Sequence, residues 1–350
     1  MLANLATIVG IETASGNGMT ERVSVEAARA LVSDVLVRCN TGRVQAEAVA
    51  RALVEADLVG QAGHGLRRLP SYAGQAASGK VDGHAVPEIK RVRGATLSIH
   101  AHYGFAYPAI DAAVERLPEI AQANGVAAAG IRASHHAGVT GLPVERLARE
   151  GFVALMFANT PAAIAPWNGG RALYGTNPVA FAAPVPWAEP LVIDLSLSKV
   201  ARGKLMAAEQ RGEAIPEGWA LDAEGRPTTD PSTGLKGTML PLGDAKGAVL
   251  ALMVELLAAA LTGSNFGFEA TSFFEPDGAA PGTGQVLLAI DPGGLGAQGL
   301  ARIGVLAAAI EGQAEARLPG RRRQQLRAKL TAEGIPVDPS LMREIEAIGT

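Results

Sequence analysis

The stretch that decides the fold is "LLAIDPGGLGAQGLARIGVL", residues 287–306. An apolar run suited to a strand leads into Gly294-x-Gly296-x-x-Gly299, and an apolar run suited to a helix follows. That is the outline of a dinucleotide-binding fingerprint on a parallel, doubly wound sheet. The fingerprint also demands a second strand ending in an acidic residue about 20 positions on. Here the helix is followed by "QAEARLPGRRRQQLR", with Glu315 inside a polar stretch and Pro292 in the turn itself. The motif also sits at the far end of the chain. The reading is therefore a flexible connection between a late strand and a helix, and a doubly wound sheet is not expected.

Working outward, the chain of 350 residues is 48% hydrophobic and 19% charged, enough for a large core and two or three structural parts. A net charge of −3, with only three Trp and four Tyr, excludes a basic or base-stacking nucleic-acid surface. Cys39 is the one cysteine, so neither an intrachain disulfide nor a cysteine metal site can form. It reads as a small buried apolar group on a helix, and a reducing compartment fits. The first basic residue is Arg22, so no positive leader precedes the apolar start. Residues 1–21 read as a flexible N-terminal extension. The longest apolar run, Ala248 to Gly263, is interrupted by Glu255 and falls short of the ~18 residues of a membrane span. It reads as a buried helix, and a cytoplasmic protein without a membrane partner is expected.

"SVEAARALVSDVLVRCN" offers Ser24 as an N-cap and Glu26 near the helix start. A second helical pattern runs from Arg43, and a helix-like segment between glycines follows His64. "ATLSIH", "GVAAAGIR", "FVALMFAN", "PVAFAAP", "LVIDLS" and "QVLLAID" read as strands. "IPEGWALDAEGRPTTDPSTG" reads as a polar loop. The whole is an α/β protein whose irregular alternation argues against a purely parallel sheet. The expected parts are a helical region over 22–90, an α/β body over 91–300, and a C-terminal helical region over 301–350 that packs back on the first.

Of the six histidines, His84, His100 and His102 have no evident chemical partner in the sequence. His64 differs: it lies between Gly63 and Gly65, with Arg67 and Arg68 following. Flanking glycines allow a ligand close to the backbone. An arginine can hold a carboxylate with two bonds while an imidazole moves a proton. His135 and His136 are adjacent, so they do not share a helix face, and no metal-ligand set is present. Gly138 and Gly141 with Thr140 make a loop able to offer N–H groups to phosphate, or simply a glycine-rich turn. Asp194 ends a strand before Lys199, Arg202 and Lys204, a plausible site edge or a solvated ion-pair cluster. Arg321, Arg322 and Arg323 could grip a phosphate or form a solvated helix face. No G-x-S-x-G elbow and no phosphate-binding G-x-x-x-x-G-K-[ST] loop occurs.

Seven segments in order resemble one family: "AGHGLRRLPSYAGQAASGKV", "ASHHAGVTG", "YGTNPVAFAAP", "LVIDLSLSKVARGK", "IPEGWALDAEGRPTTDP", "PLGDAKGAVLALMVELLAAALTG" and "LPGRRR". This is the malate/L-lactate dehydrogenase family of nicotinamide oxidoreductases, which is not of the Rossmann kind. The resemblance runs from about residue 22 onward. The wording is most similar to reductases of Δ1-piperideine-2-carboxylate and Δ1-pyrroline-2-carboxylate, which use NADPH to make L-pipecolate or L-proline. It implies a mixed-direction sheet and a homodimer. It also implies His64 as proton donor with Asp194 in the catalytic group, and Arg68 and Thr176 on the substrate. The cofactor, NADPH with NADH as the alternative, would be held by His136, Ala137, Gly138, Val139 and Thr140. Further cofactor positions are Asp194, Leu195, Ser196, Arg202, Gly203 and Lys246. Leu318, Pro319, Gly320, Arg321, Arg322 and Arg323 complete the set, their arginines suited to the 2′-phosphate. The substrate would be a small imino acid. A 2-oxo or 2-hydroxy acid of malate, lactate or sulfolactate type is the alternative, and a non-catalytic binding protein is the alternative of another class. One departure stands out: many relatives carry Ser just before the histidine, where this chain has Gly63.

Overall fold

The computed structural model describes residues 21–349. The extension expected over 1–21 lies outside them except for Glu21, which opens β1 (Glu21–Val23). Ser24 then caps α1 (Val25–Arg38) by accepting from Ala27 N at 3.1 Å, as its position before the apolar repeat implies. Cys39 closes the helix and is buried. α2 (Arg43–Leu58) packs along α1, and two short 3-10 turns, Ala62–His64 and Leu66–Arg68, lead into α3 (Leu69–Ser78). Gly79 ends α3 in the left-handed region at φ 79°.

The body begins with β2 (Glu88–Arg93) and β3 (Thr96–His100). Then come α4 (Ala106–Asn124), β4 (Val126–Ser134), α5 (Gly141–Arg149), β5 (Val153–Ala158), β6 (Val179–Val185) and β7 (Ala188–Leu195). α6 (Arg202–Arg211), β8 (Ala220–Leu221), β9 (Pro227–Thr228), α7 (Pro231–Lys236) and β10 (Thr238–Met239) make a small lobe with a three-stranded sheet. The segment expected to be a polar loop thus contains its own short strands and helix. α8 (Ala245–Glu255) continues through a π-helical turn, Leu256–Ala260, and β11 (Thr283–Ile290) follows.

The main sheet has seven strands in the order β2-β3-β4-β11-β5-β6-β7, and only β3 and β4 run parallel. One face is sealed by α4 and α5: Ile99, Ile131, Met156 and Leu287 are 0% exposed beneath Ile110, Leu117 and Leu147. The other face carries Leu155, Val286 and Leu288 against Ala251, Val254 and Ala258 of the α8 region. α8 does not become the fully buried helix that its composition implies. Apolar all round, it seats one side on the sheet and leaves Val249 62% and Leu256 51% exposed on the other.

β11 lies between β4 and β5 and is antiparallel to both, so no parallel β-α-β unit surrounds Gly294. The glycines after it serve close backbone packing instead. A Cβ on Gly294 would lie 2.7 Å from Gly125 Cα, and one on Gly299 would lie 2.2 Å from Pro292 O. The turn leads to α9 (Gly299–Glu311), which packs against β6. α10 (Arg321–Glu333), β12 (Ile335–Val337) and α11 (Pro339–Glu346) then return to the start of the chain. β12 pairs antiparallel with β1, and Leu330, Ile335, Met342 and Ile345 join the core of α1, α2 and α3. Among the described residues, no helix is long and apolar enough to cross a membrane.

Candidate active site

The turn between α2 and α3 carries His64 and Arg68. Arg68 folds back so that its Nε donates to Gly63 O at 2.9 Å, and its guanidinium lies over the Phe274 ring at 4.3 Å. Its Nη1 is buried without a hydrogen-bond partner, as is His64 Nδ1. Buried polar atoms are almost always satisfied, so two orphaned ones on one turn mark it as a candidate site for a polar ligand. Burial lowers the Arg68 pKa. Burial, then the Arg68 charge, pushes His64 down to about 4, while Asp194 pulls it upward. The imidazole is therefore neutral in the free protein near pH 7. An arriving anion beside it would favour its charged form.

His64 stacks on His136 with centroids 5.1 Å apart and 19° between planes. His136 Nδ1 shares a 2.6 Å hydrogen bond with Tyr72 Oη, which in turn is 3.0 Å from Tyr107 Oη. His135 is held at Nε2 by Gln75 Oε1 at 2.7 Å, and burial pushes it down to about 3. Phe273 packs on both rings of this pair, and Gln75 holds the Phe273 carbonyl at 2.9 Å. Sequence reasoning missed Tyr72, Tyr107, Gln75, Phe273 and Phe274.

After His136 the chain runs through Ala137, Gly138 and Val139 to Thr140 and the start of α5. Gly138 stands at φ 65°, where a Cβ would also strike Tyr107 Oη at 2.6 Å. Thr140 Oγ1 donates to Asp194 Oδ1 at 2.8 Å, and Arg323 Nη1 donates to Asp194 Oδ2 at 3.0 Å. Asp194 thus acts on His64 through its charge, while its hydrogen bonds go to Thr140 and Arg323. Pro319 O accepts from Val192 N at 3.0 Å, and Gly320, at φ 96°, lies against Val192. Leu318 is buried beside Val185. Three segments far apart in sequence therefore line one narrow slot of about 10 Å³, among them Val139, Gly141, Val192, Gly320 and Arg323. At Gly141 a Cβ would come within 3.0 Å of Asp194 and 3.2 Å of Arg323, so the backbone approaches the charged pair as closely as glycine allows.

The other marked residues lie elsewhere around the body. Thr176 N donates to Thr160 Oγ1 at 3.0 Å, and Thr176 O accepts from Leu197 N at 2.8 Å. Leu195 is 49% exposed and Ser196 Oγ pairs with Ser198 Oγ at 2.8 Å. Beneath Thr176, buried Glu255 gathers Asn177 Nδ2 at 2.7 Å, Asn159 Nδ2 at 3.1 Å and Gly267 N at 2.5 Å. Arg202 Nη2 donates to Leu235 O at 3.1 Å in the small lobe, beside Gly203, and Lys246 is exposed in the first turn of α8. Arg321 donates to Glu311 Oε1 and Glu189 O, both at 3.0 Å, and Arg322 is exposed. Among the described residues, no hydrogen bond or ion pair joins Arg202, Lys246 or Arg322 to the His64 group.

Residues 23–346 match the family described as malate/L-lactate dehydrogenase. The chain belongs to that family. It is 52% identical over 329 residues to a (2R)-3-sulfolactate dehydrogenase (NADP(+)) of Chromohalobacter salexigens, covering 94% of this chain and 98% of the relative. It is 38% identical over 331 residues to a Δ1-pyrroline-2-carboxylate/Δ1-piperideine-2-carboxylate reductase of Pseudomonas syringae pv. tomato, covering 94% and 96%. The crystal structure of Δ1-piperideine-2-carboxylate reductase from that organism aligns with a TM-score of 0.88 at 38% identity, over 94% of this chain and 100% of that one. A sulfolactate dehydrogenase from Methanocaldococcus jannaschii aligns with a TM-score of 0.85 at 28% identity, over 93% and 96%. As a member of the malate/L-lactate dehydrogenase family, the chain is an oxidoreductase built on the family's mixed sheet.

Proposed function

We propose that the protein interconverts a small 2-hydroxy acid of the sulfolactate kind and its 2-oxo acid, using NADP. The observation that carries this choice is the 52% identity to a sulfolactate dehydrogenase over nearly the whole of both chains. Arg68 has one buried, unpartnered Nη1 to offer a carboxylate. His64 on the same turn takes the hydroxyl proton in oxidation and returns it in reduction. Thr176 is the second substrate contact of this reading. The cofactor supplies hydride transfer when bound. Its residues would be the 136–140 loop, the 194–196 strand end, the start of α6 at Arg202 and Gly203, Lys246, and the 318–323 segment. The donor set suits an anionic nucleotide: a Cβ at Gly141 would press on Asp194 and Arg323, and Arg322 and Arg323 stand at the start of α10. The closed slot between α5 and α10 must widen to admit it. Phe273, Phe274 and Tyr72 keep water from the proton path.

The ring imino acids that the sequence wording favours remain the second reading, supported by the 38% relative and the 0.88 structural match. The same arginine and histidine serve a C=N bond, with the proton delivered to nitrogen. The protein is also read as a homodimer of the reducing cytoplasm, supported by the exposed apolar side of α8 and by buried Cys39. The test is an absorbance assay of NADPH and NADH turnover with 3-sulfolactate, malate, lactate, their oxo acids and Δ1-piperideine-2-carboxylate. The preferred reading requires 3-sulfolactate or its oxo acid to give the greatest kcat/KM, and His64→Ala to lower it about 10²–10⁴-fold. Cofactor binding without turnover of any of these acids would return the chain to the binding-protein class.

A further inference from the structure

Asp57 sits in the last turn of α2, outside every motif that the sequence marks as chemical. Its carboxylate lies against the turn that carries His64 and Arg68. Oδ2 accepts from Leu66 N at 2.8 Å, capping the short helix Leu66–Arg68 at its first N–H. A Cβ on Gly65 would stand 2.2–2.3 Å from all three atoms of the carboxyl group. Glycine between His64 and Leu66 is thus required by Asp57. The turn's other bonds run within it: His64 N to Gln61 O at 2.7 Å, Gly65 N to Ala62 O at 3.1 Å, and Arg68 N to Gly65 O at 2.9 Å. Arg68 Nε to Gly63 O is a further internal bond. Besides the backbone bond from Gln61 N to Ala56 O at 2.8 Å, the Asp57 side chain is what ties this turn to α2. The carboxyl group is mostly buried, and burial lifts its pKa to about 6 against the pull of Leu66 N–H and the Arg67 charge.

We propose that Asp57 is a positioning residue for the reaction, clamping the 63–68 turn so that the imidazole and the guanidinium face one substrate. This rests on the reading of His64 and Arg68 given above. Misplacing reacting groups by about 1 Å can cost roughly 10²-fold in rate without touching the cofactor. Asp57→Ala is therefore expected to lower kcat/KM for the acid by about 30- to 100-fold, with NADPH affinity kept within about twofold. Asp57→Asn keeps an acceptor and is expected to stay within about fivefold of the parent. Gly65→Ala, which drives a methyl group into the carboxylate, should match Asp57→Ala. The double variant should be no worse than either single one, because the two residues act as one unit.

A second readout needs no substrate. His64 in the parent should titrate near pH 4 by NMR of its ring protons. In Asp57→Ala the loosened turn admits water, and that titration should move toward the ordinary ~6.5. Unchanged kcat/KM together with an unchanged His64 titration overturns the proposal. So does a parallel loss of NADPH affinity, which marks general loosening. Should the parent turn over none of the acids, the functional reading falls while the His64 titration still decides the role of Asp57. If Asp57→Ala does not fold, Asp57→Asn and Gly65→Ala carry the same comparison.

Discussion

Arg323, in the first turn of α10, donates to Asp194 at the end of β7 across 3.0 Å, beside the slot that Val139 and Gly141 also line. The pair joins a C-terminal helix to the edge strand β7, 129 residues away, at the place where the cofactor is expected. Arg323→Ala should weaken NADPH binding about tenfold, the worth of one hydrogen bond to a charged group. Fluorescence titration measures it. An unchanged dissociation constant would remove this pair from the cofactor site.

Buried neutral histidines should make the fold acid-sensitive. Burial lowers His64 to about 4 and His135 to about 3. In the unfolded chain both take protons near pH 6.5. Between those limits the unfolded state binds more protons, so stability is full above about pH 6.5 and is lost as pH falls. Each fully buried histidine contributes at most about 1.4 kcal/mol per pH unit in its window. Asp57, raised to about 6, works in the opposite direction between about pH 4 and 6. The net expectation is a Tm that drops steadily from pH 6.5 to 4, less steeply in His135→Gln. A flat Tm across that range would contradict it.

Glu255 is 3% exposed and holds Asn159, Asn177 and Gly267 together under Thr176. Glu255→Ala removes three hydrogen bonds; Asn159 and Asn177 keep Asn265 O and Ala251 O as acceptors, while Gly267 N loses its acceptor, and the loss should be about 1–3 kcal/mol. Glu255→Gln should cost less, because it keeps an acceptor. Urea denaturation separates the two, and equal losses would show that the carboxylate's acceptor role is not what matters.

The outward side of α8 should be covered by a second copy of the chain. Val249, Leu252, Met253 and Leu256 are 37–62% exposed there, on a helix with almost no polar side chain to present to water. Leu252→Asp with Leu256→Asp should shift the sedimentation coefficient from dimer to monomer. A parent that already sediments as a monomer would dismiss the dimer.

Much of the framework was legible in local chemistry. The apolar repeat after Ser24 became α1, and the short apolar runs from Thr96 to Leu195 became strands because their alternation matches a half-buried pleat. Elements without such a signal were not legible. "EIKRVR" forms the edge strand β2, whose side chains are almost all exposed, so it carries no apolar alternation. The two-residue strands of the small lobe are too short for any period. α8 is apolar all round, and periodicity could not tell which side would meet the sheet.

By itself, the sequence determined which residue types could do chemistry and roughly which segments would be helix or strand, because propensity, capping and apolar period act over a few residues. It also argued against a doubly wound sheet, since a polar stretch, not a strand, follows the helix after the glycine cluster. Only the tertiary structure decided that β11 inserts between β4 and β5, because strand order is set by pairing across more than a hundred residues. It alone stacked His64 on His136, set Phe274 beneath Arg68 and placed Asp57 under the turn. Those relationships depend on where separate elements dock, and docking is settled by burial of whole faces rather than by any local pattern.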